Sequence, residues 1–244
     1  ATLLHDDVID EGKLRRGQKS INSIWSNKFS VLFGDFLFSK SFQLMTKANS
    51  LKAMASLSQV SSKISEGEFL QLTNENNIHI SESKYIEIIS LKTAELFAAS
   101  MKIPAILTGK NLKTISSLNK LGLYFGIIFQ IMDDYLDYFG HRITGKKNGK
   151  DFYEGKITLP IILLLKKSNN TEFIFIKKVF NKSKRLKNDY TEILNLMKKY
   201  KINEDVKIFC DKYNKKSLKI LKLFKGHQKD LFINLLISSI NRTY

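Results

Sequence analysis

The 244-residue sequence is poor in the residues that build disulfides, loops and soft metal sites. Cys210 is its only cysteine, so no disulfide can close within the chain and a thiolate metal cage is excluded. Pro104 and Pro160 are its only prolines, and neither proline nor glycine occurs between Glu68 and Ile103. No apolar run reads as long enough to span a bilayer, and no signal peptide is visible. With the lone cysteine, these absences predict a cytoplasmic protein. Acidic residues are scarce toward the C-terminus. Residues 146–244 hold 24 Lys and Arg against 9 Asp and Glu, a net of +15 within a total of +17. The lysines are scattered among Leu, Ile and Phe rather than massed in a basic block with stacking aromatics. That pattern predicts a solvated surface and no nucleic-acid partner. A field this positive would still help draw in polyanions.

Hydrophobic residues make up 43% of the chain, enough for a real core, and the length suits one large domain over 1–244. Apolar residues recur at helical spacing. Ile86, Ile89, Leu96, Phe97 and Met101 form one such series; Leu118, Leu121, Phe125, Ile128 and Met132 form another. Strand alternation is not apparent, so the fold class read here is all-α. Pro160 fits the first turn of a helix with Thr158 near its cap, and Pro104 and Gly109 are expected to mark breaks between helices.

Two aspartate-rich stretches carry the chemistry. Asp6-Asp7-Val8-Ile9-Asp10 and Asp133-Asp134-Tyr135-Leu136-Asp137 are both D-D-x-x-D. On a helix, positions i and i+4 share a face, so Asp6 with Asp10 and Asp133 with Asp137 point together. Like charges on one turn repel, and no cation follows at the next turn to pair with them. A divalent ion resolves this crowding. The donors are all carboxylate oxygens, which suit Mg²⁺, an ion that commonly bridges carboxylates to substrate phosphates. Two such clusters read as a clamp for a diphosphate.

These motifs and their neighbours resemble the trans-polyprenyl diphosphate synthase family, and within it the bacterial octaprenyl diphosphate synthases. The resemblance rests on Leu3 to Gly17, with the first aspartate motif and Arg15-Arg16, and on Gly34-Asp35, Glu66-Gly67-Glu68 with Gln71, and Lys92-Thr93. It continues through Phe129-Gln130 before the second motif, Gly145-Lys146 through Asp151, Glu154-Gly155-Lys156 and Thr158-Leu159-Pro160. It runs from Ala1 to about Leu165 and weakens beyond.

The resemblance implies an isoprenoid-synthase-type helical bundle around a central cavity. It implies a Mg²⁺-dependent enzyme that adds isopentenyl diphosphate repeatedly to an allylic diphosphate, giving a long-chain all-trans product, octaprenyl for a ubiquinone side chain. Asp6, Asp7, Asp10, Asp133, Asp134 and Asp137 would hold Mg²⁺ on the allylic diphosphate. Arg15 would contact that diphosphate and Arg16 the isopentenyl diphosphate. Lys92, Lys146 and Lys156 would complete the cationic cradle, with Thr93 and Gln130 as hydrogen-bonding partners. Ala1 and Thr2, both small and one turn before Asp6, would leave the floor of the product tunnel open. His5 reads as packed, and Glu66, Glu68 and Gln71 as supporting residues. A homodimer and a weak membrane-surface association for product release are the partners implied.

Two departures stand out. Lys150 occupies a place where the family usually has Asp, ahead of Asp151. The Gly-Gly-Lys-x-x-Arg-Pro type element that precedes the first motif in the family is absent, so the chain reads as N-terminally truncated, without part of the isopentenyl site. The competing readings are a class I terpene cyclase, a non-catalytic subunit of a hetero-oligomeric synthase and, distantly, a basic nucleic-acid-binding module. The Arg pair and the Thr-Leu-Pro element speak against the first, and the six intact aspartates against the second.

Overall fold

The computed structural model describes residues 1–15, 18–140 and 148–242. The chain is helical almost throughout and divides into two compact units. One contains residues 1–55, the other residues 56–140 and 148–242.

In the first unit, α1 (Thr2–Ile9) is followed by two-residue strands β1 (Leu14–Arg15) and β2 (Gln18–Lys19). They pair antiparallel, Leu14 with Lys19 and Arg15 with Gln18. A short α2 (Ile21–Ile24) leads into α3 (Asn27–Lys47), which Ser26 caps by accepting the Phe29 N–H at 3.1 Å. α3 lies along α1. Ser30 Oγ donates to the Leu4 carbonyl at 3.0 Å, and the His5 ring sits 3.2 Å from the Val31 carbonyl oxygen. α3 also exposes Leu32, and Phe29, Phe33 and Phe36, whose rings continue a stack begun by Trp25. α4 (Leu51–Leu72) begins in this unit and ends in the second.

In the second unit, α5 (Glu82–Ile89) runs through a π-helical turn (Ser90–Ala94) into α6 (Glu95–Leu107). α7 (Leu112–Phe139) is the central helix; α8 (Lys150–Glu154), α9 (Leu159–Lys167), α10 (Asn170–Phe180), α11 (Lys187–Lys199), α12 (Ile202–Leu221) and α13 (His227–Ile240) follow. The apolar series read from the sequence becomes the buried stripe of α7: Leu121, Ile128, Ile131 and Met132. Leu159, Ile161, Leu164, Ile176, Ile193 and Met197 extend the same core. α6 and α7 approach closely because α7 carries glycine at the contact. A Cβ on Gly126 would lie 2.5 Å from the Ala94 Cα. Polar caps set the starts: Ser81 for α5, Asn111 for α7, and an Asn169–Glu172 capping box for α10.

The all-α reading holds, with three corrections of detail. Pro104 does not break a helix. It lies inside α6, which continues to Leu107. Burial of Ala98, Ala99 and Ala105 in the contact with α7 offsets the hydrogen bond lost at proline. A break does occur in the stretch that lacks Gly and Pro, between Leu72 and Glu82. There Asn76 takes φ +59°, a left-handed conformation that asparagine tolerates, and Asn74 and Asn77 bond locally. Thr158 precedes α9 as expected, but its hydroxyl makes no capping bond. Gly109 does end α6, at φ +64°.

The reading of membrane-spanning potential also needs revision. α7 has 28 residues and reaches a mean hydropathy of 1.2 over an 18-residue window, enough to cross a bilayer by length and composition. Its stripe of buried residues and its aspartates make it a core helix in this fold.

Candidate active site

The first aspartate motif sits at the end of α1. Asp10 is the C-terminal cap, and its N–H donates to the Asp6 carbonyl at 2.8 Å, so Asp6 and Asp10 stay in helical register as expected. Both are partly exposed. Asp7 turns inward and is buried. Arg15 Nε lies 2.9 and 3.0 Å from its two carboxylate oxygens, while its carbonyl accepts the Gly12 and Asn22 N–H groups. Arg15, beyond the end of α1, supplies a cation that the reading of the next helical turn did not count. The chain reverses at Glu11, φ +47°, with the Gly12 N–H bonded to the Asp7 carbonyl at 2.9 Å, and so returns Arg15 to α1, which helical spacing could not reveal. Arg15 is therefore engaged with Asp7, and it stands beside the position expected of it. Ala1 caps α1 by accepting the Leu4 N–H at 2.9 Å, and Thr2 is an exposed first-turn residue.

The second motif occupies the last turns of α7, and here the expected partners come together. Asp133 is exposed. Asp134 is buried, with one oxygen accepting from Tyr85 Oη at 2.6 Å and the other from Gln130 Nε2 at 2.8 Å. Gln130 Oε1 in turn accepts from Thr93 Oγ1 at 2.9 Å. The line Thr93–Gln130–Asp134–Tyr85 thus ties α7 to the π-helical turn and to α5. Asp137 accepts two backbone N–H groups, from Lys150 at 3.0 Å and Asp151 at 3.1 Å.

Burial pushes the Asp134 carboxyl up to about 7, and the charges of Asp133 and Asp137 push the same way against its two hydrogen bonds. Burial likewise raises Asp137 to about 6, although three backbone N–H groups pull it down. Asp151 is raised too, first by burial and then by Asp134 and Asp137. Asp133 and Asp137 crowd hard carboxylate oxygens whose repulsion a divalent cation would relieve, so these residues fit Mg²⁺.

Among the described residues no three carboxylates or imidazoles converge as a preformed cage.

The π-helical turn places Lys92 and Thr93 on different neighbours. Thr93 faces α7, while Lys92 Nζ reaches α4, 2.7 Å from one Glu68 oxygen and bonded to Gln71. Glu68 and Gln71 are therefore supporting residues, as read. Lys156 is nearly covered and lies 2.8 Å from Glu154 Oε2. Arg16 and Lys146 lie outside the described residues.

Sequence reasoning missed Tyr85, which stands 49 positions from Asp134 and carries no local signal. It also passed over Asp151, because Lys150 interrupts the acidic pattern there. Two clefts of about 190 and 240 Å³, along α9, hold none of the motif aspartates.

The comparisons with known proteins agree with this geometry. The octaprenyl diphosphate synthase of Escherichia coli is 44% identical over 164 residues, which is 66% of this chain and 50% of that protein, so the chain spans half of this relative. The octaprenyl diphosphate synthase of Haemophilus influenzae is 32% identical over 246 residues, covering 100% of this chain and 74% of that one. The crystal structure of a polyprenyl synthase from Caulobacter crescentus, complexed with calcium and isoprenyl diphosphate, superposes with a TM-score of 0.94 at 36% identity, over 100% of this chain and 75% of that one. Other matched proteins are named for nonaprenyl and geranylgeranyl products. The family described as Polyprenyl synthetase matches residues 1–197, and the chain belongs to that family.

Proposed function

We propose that the protein is a Mg²⁺-dependent prenyltransferase that condenses isopentenyl diphosphate repeatedly with an allylic diphosphate, giving a long all-trans polyprenyl diphosphate of about eight units, and that residues 1–244 belong to its one catalytic domain. The observation that carries this is the Thr93–Gln130–Asp134–Tyr85 line beneath exposed Asp133, in a chain of this family. Asp133 and Asp137 would hold metal in the second unit and Asp6 and Asp10 would do so in the first, while Asp134 and Asp7 anchor their own motifs. Bound Mg²⁺ supplies charge neutralisation that makes the diphosphate a good leaving group. Arg15, Arg16, Lys92, Lys146 and Lys156 offset further negative charge, and Thr93 and Gln130 orient the bound substrate. The departing diphosphate takes the proton lost after each addition. The relatives named for octaprenyl products support the length. Small Ala1 and Thr2 agree with an open tunnel.

The exposed apolar face of α3 supports a homodimer, and a cytoplasmic location with weak membrane contact for product release belongs to the same proposal. Labelled isopentenyl diphosphate and an allylic diphosphate, incubated with protein and Mg²⁺, should give a butanol-extractable product ladder. Release of diphosphate and hydrocarbon from the allylic substrate alone, without uptake of label, would make it a cyclase instead.

A further inference from the structure

We infer that Arg185, outside every motif, is a positioning residue for the diphosphate site, acting through the turn from Gly149 to Lys156. The inference rests on the function proposed above. The turn consists of α8 bracketed by two left-handed glycines, Gly149 at φ +88° and Gly155 at φ +83°. Its first end is fixed by the second aspartate motif. The Gly149 N–H donates to the Asp137 carbonyl at 2.9 Å, and the Lys150 and Asp151 N–H groups donate to the Asp137 carboxylate. Its other end is fixed by Arg185. That side chain is buried, donates through Nη1 to the Tyr153 carbonyl at 3.0 Å, and donates through Nη2 to the Phe180 carbonyl at 2.9 Å and to Asn76 Oδ1. Its guanidinium lies 5.1 Å from the centre of the Phe180 ring.

Asn76 closes the clamp by donating its N–H to the Gly155 carbonyl at 2.8 Å. Asn76 makes this bond from the break between Leu72 and Glu82, where it takes a positive φ. Gly155 leaves room for the clamp. A Cβ there would meet Asn76 Oδ1 and lie 2.8 Å from Arg185 Nη2.

The turn so held carries Asp151 and Lys156, and the Lys156 N–H donates to the Asp151 carbonyl at 2.9 Å. Three segments far apart in sequence thus fix one eight-residue loop against Asp137. The planar fork of Arg185 serves three oxygens from two nitrogens held apart in one plane, a spread that the single nitrogen of lysine does not match.

Hydrogen exchange and calorimetry together test this on wild type, Arg185→Lys and Arg185→Ala, with Mg²⁺ and inorganic diphosphate as the binding probe. In Arg185→Ala, exchange at residues 149–156 should rise tenfold or more while α11 and α12 keep wild-type protection. Affinity for the magnesium–diphosphate probe should fall about tenfold. Arg185→Lys should recover stability but not turn protection. Unchanged exchange at 149–156, or exchange that rises evenly through the second unit, would overturn the positioning role. A wild-type chain that fails to bind the probe, with the turn still released in Arg185→Ala, would instead refute the proposed function and leave the clamp standing.

Discussion

At the scale of single residues, Asp134 concentrates the conflict between burial and charge. Its carboxyl is raised to about 7 by burial, then by its acidic neighbours, from an unfolded value near 4. The folded chain therefore binds more protons than the unfolded chain between these values. The stability this group contributes is fully present below about pH 4 and is lost as pH rises through about 7. Asp134→Asn should flatten the decline of stability between pH 4.5 and 7.5 in metal-free buffer, measured by urea unfolding. An unchanged slope would show that Asp134 is not the titrating group. Tyr85→Phe removes one of its two donors and should cost about 1–2 kcal/mol by the same method. The helical register of the aspartates was legible from spacing alone. The burial of Asp7 and Asp134 was not, because it comes with Arg15 and Tyr85, which meet them only after folding.

At the scale of elements, periodicity located α7 and its buried stripe, since a 28-residue helix repeats its pattern many times. Irregular segments were harder to read. The asparagine-rich break after α4 lacks Gly and Pro, and the π-helical turn at Lys92 adds one residue per turn that no hydropathy pattern records. Pro104 misled because tertiary burial outweighed a local rule. The close contact of the π-helical turn with α7 gives a direct test. Gly126→Val would drive a side chain into Ala94 and should destabilise the protein by about 1–3 kcal/mol in chemical denaturation. A neutral effect would mean the helices can part at little cost, and that the placement of Thr93 against Gln130 is loose.

At the scale of the whole molecule, the charge of +17 is a property of composition more than of a site. Binding to duplex DNA should be weak, fall steeply with salt and show no sequence preference; tight selective binding at physiological salt would revive the nucleic-acid reading. Product length tests the tunnel. Ala1→Tyr should shorten the product, and an unchanged ladder would show that the tail does not pass Ala1. The central claim is that both aspartate motifs serve one Mg²⁺-dependent prenyl transfer. Its most direct measurement is label uptake from isopentenyl diphosphate by wild type, Asp6→Ala and Asp133→Ala across a magnesium titration. The account predicts a loss of about a hundredfold or more in each variant, at wild-type stability. Near-normal turnover in either variant would contradict it.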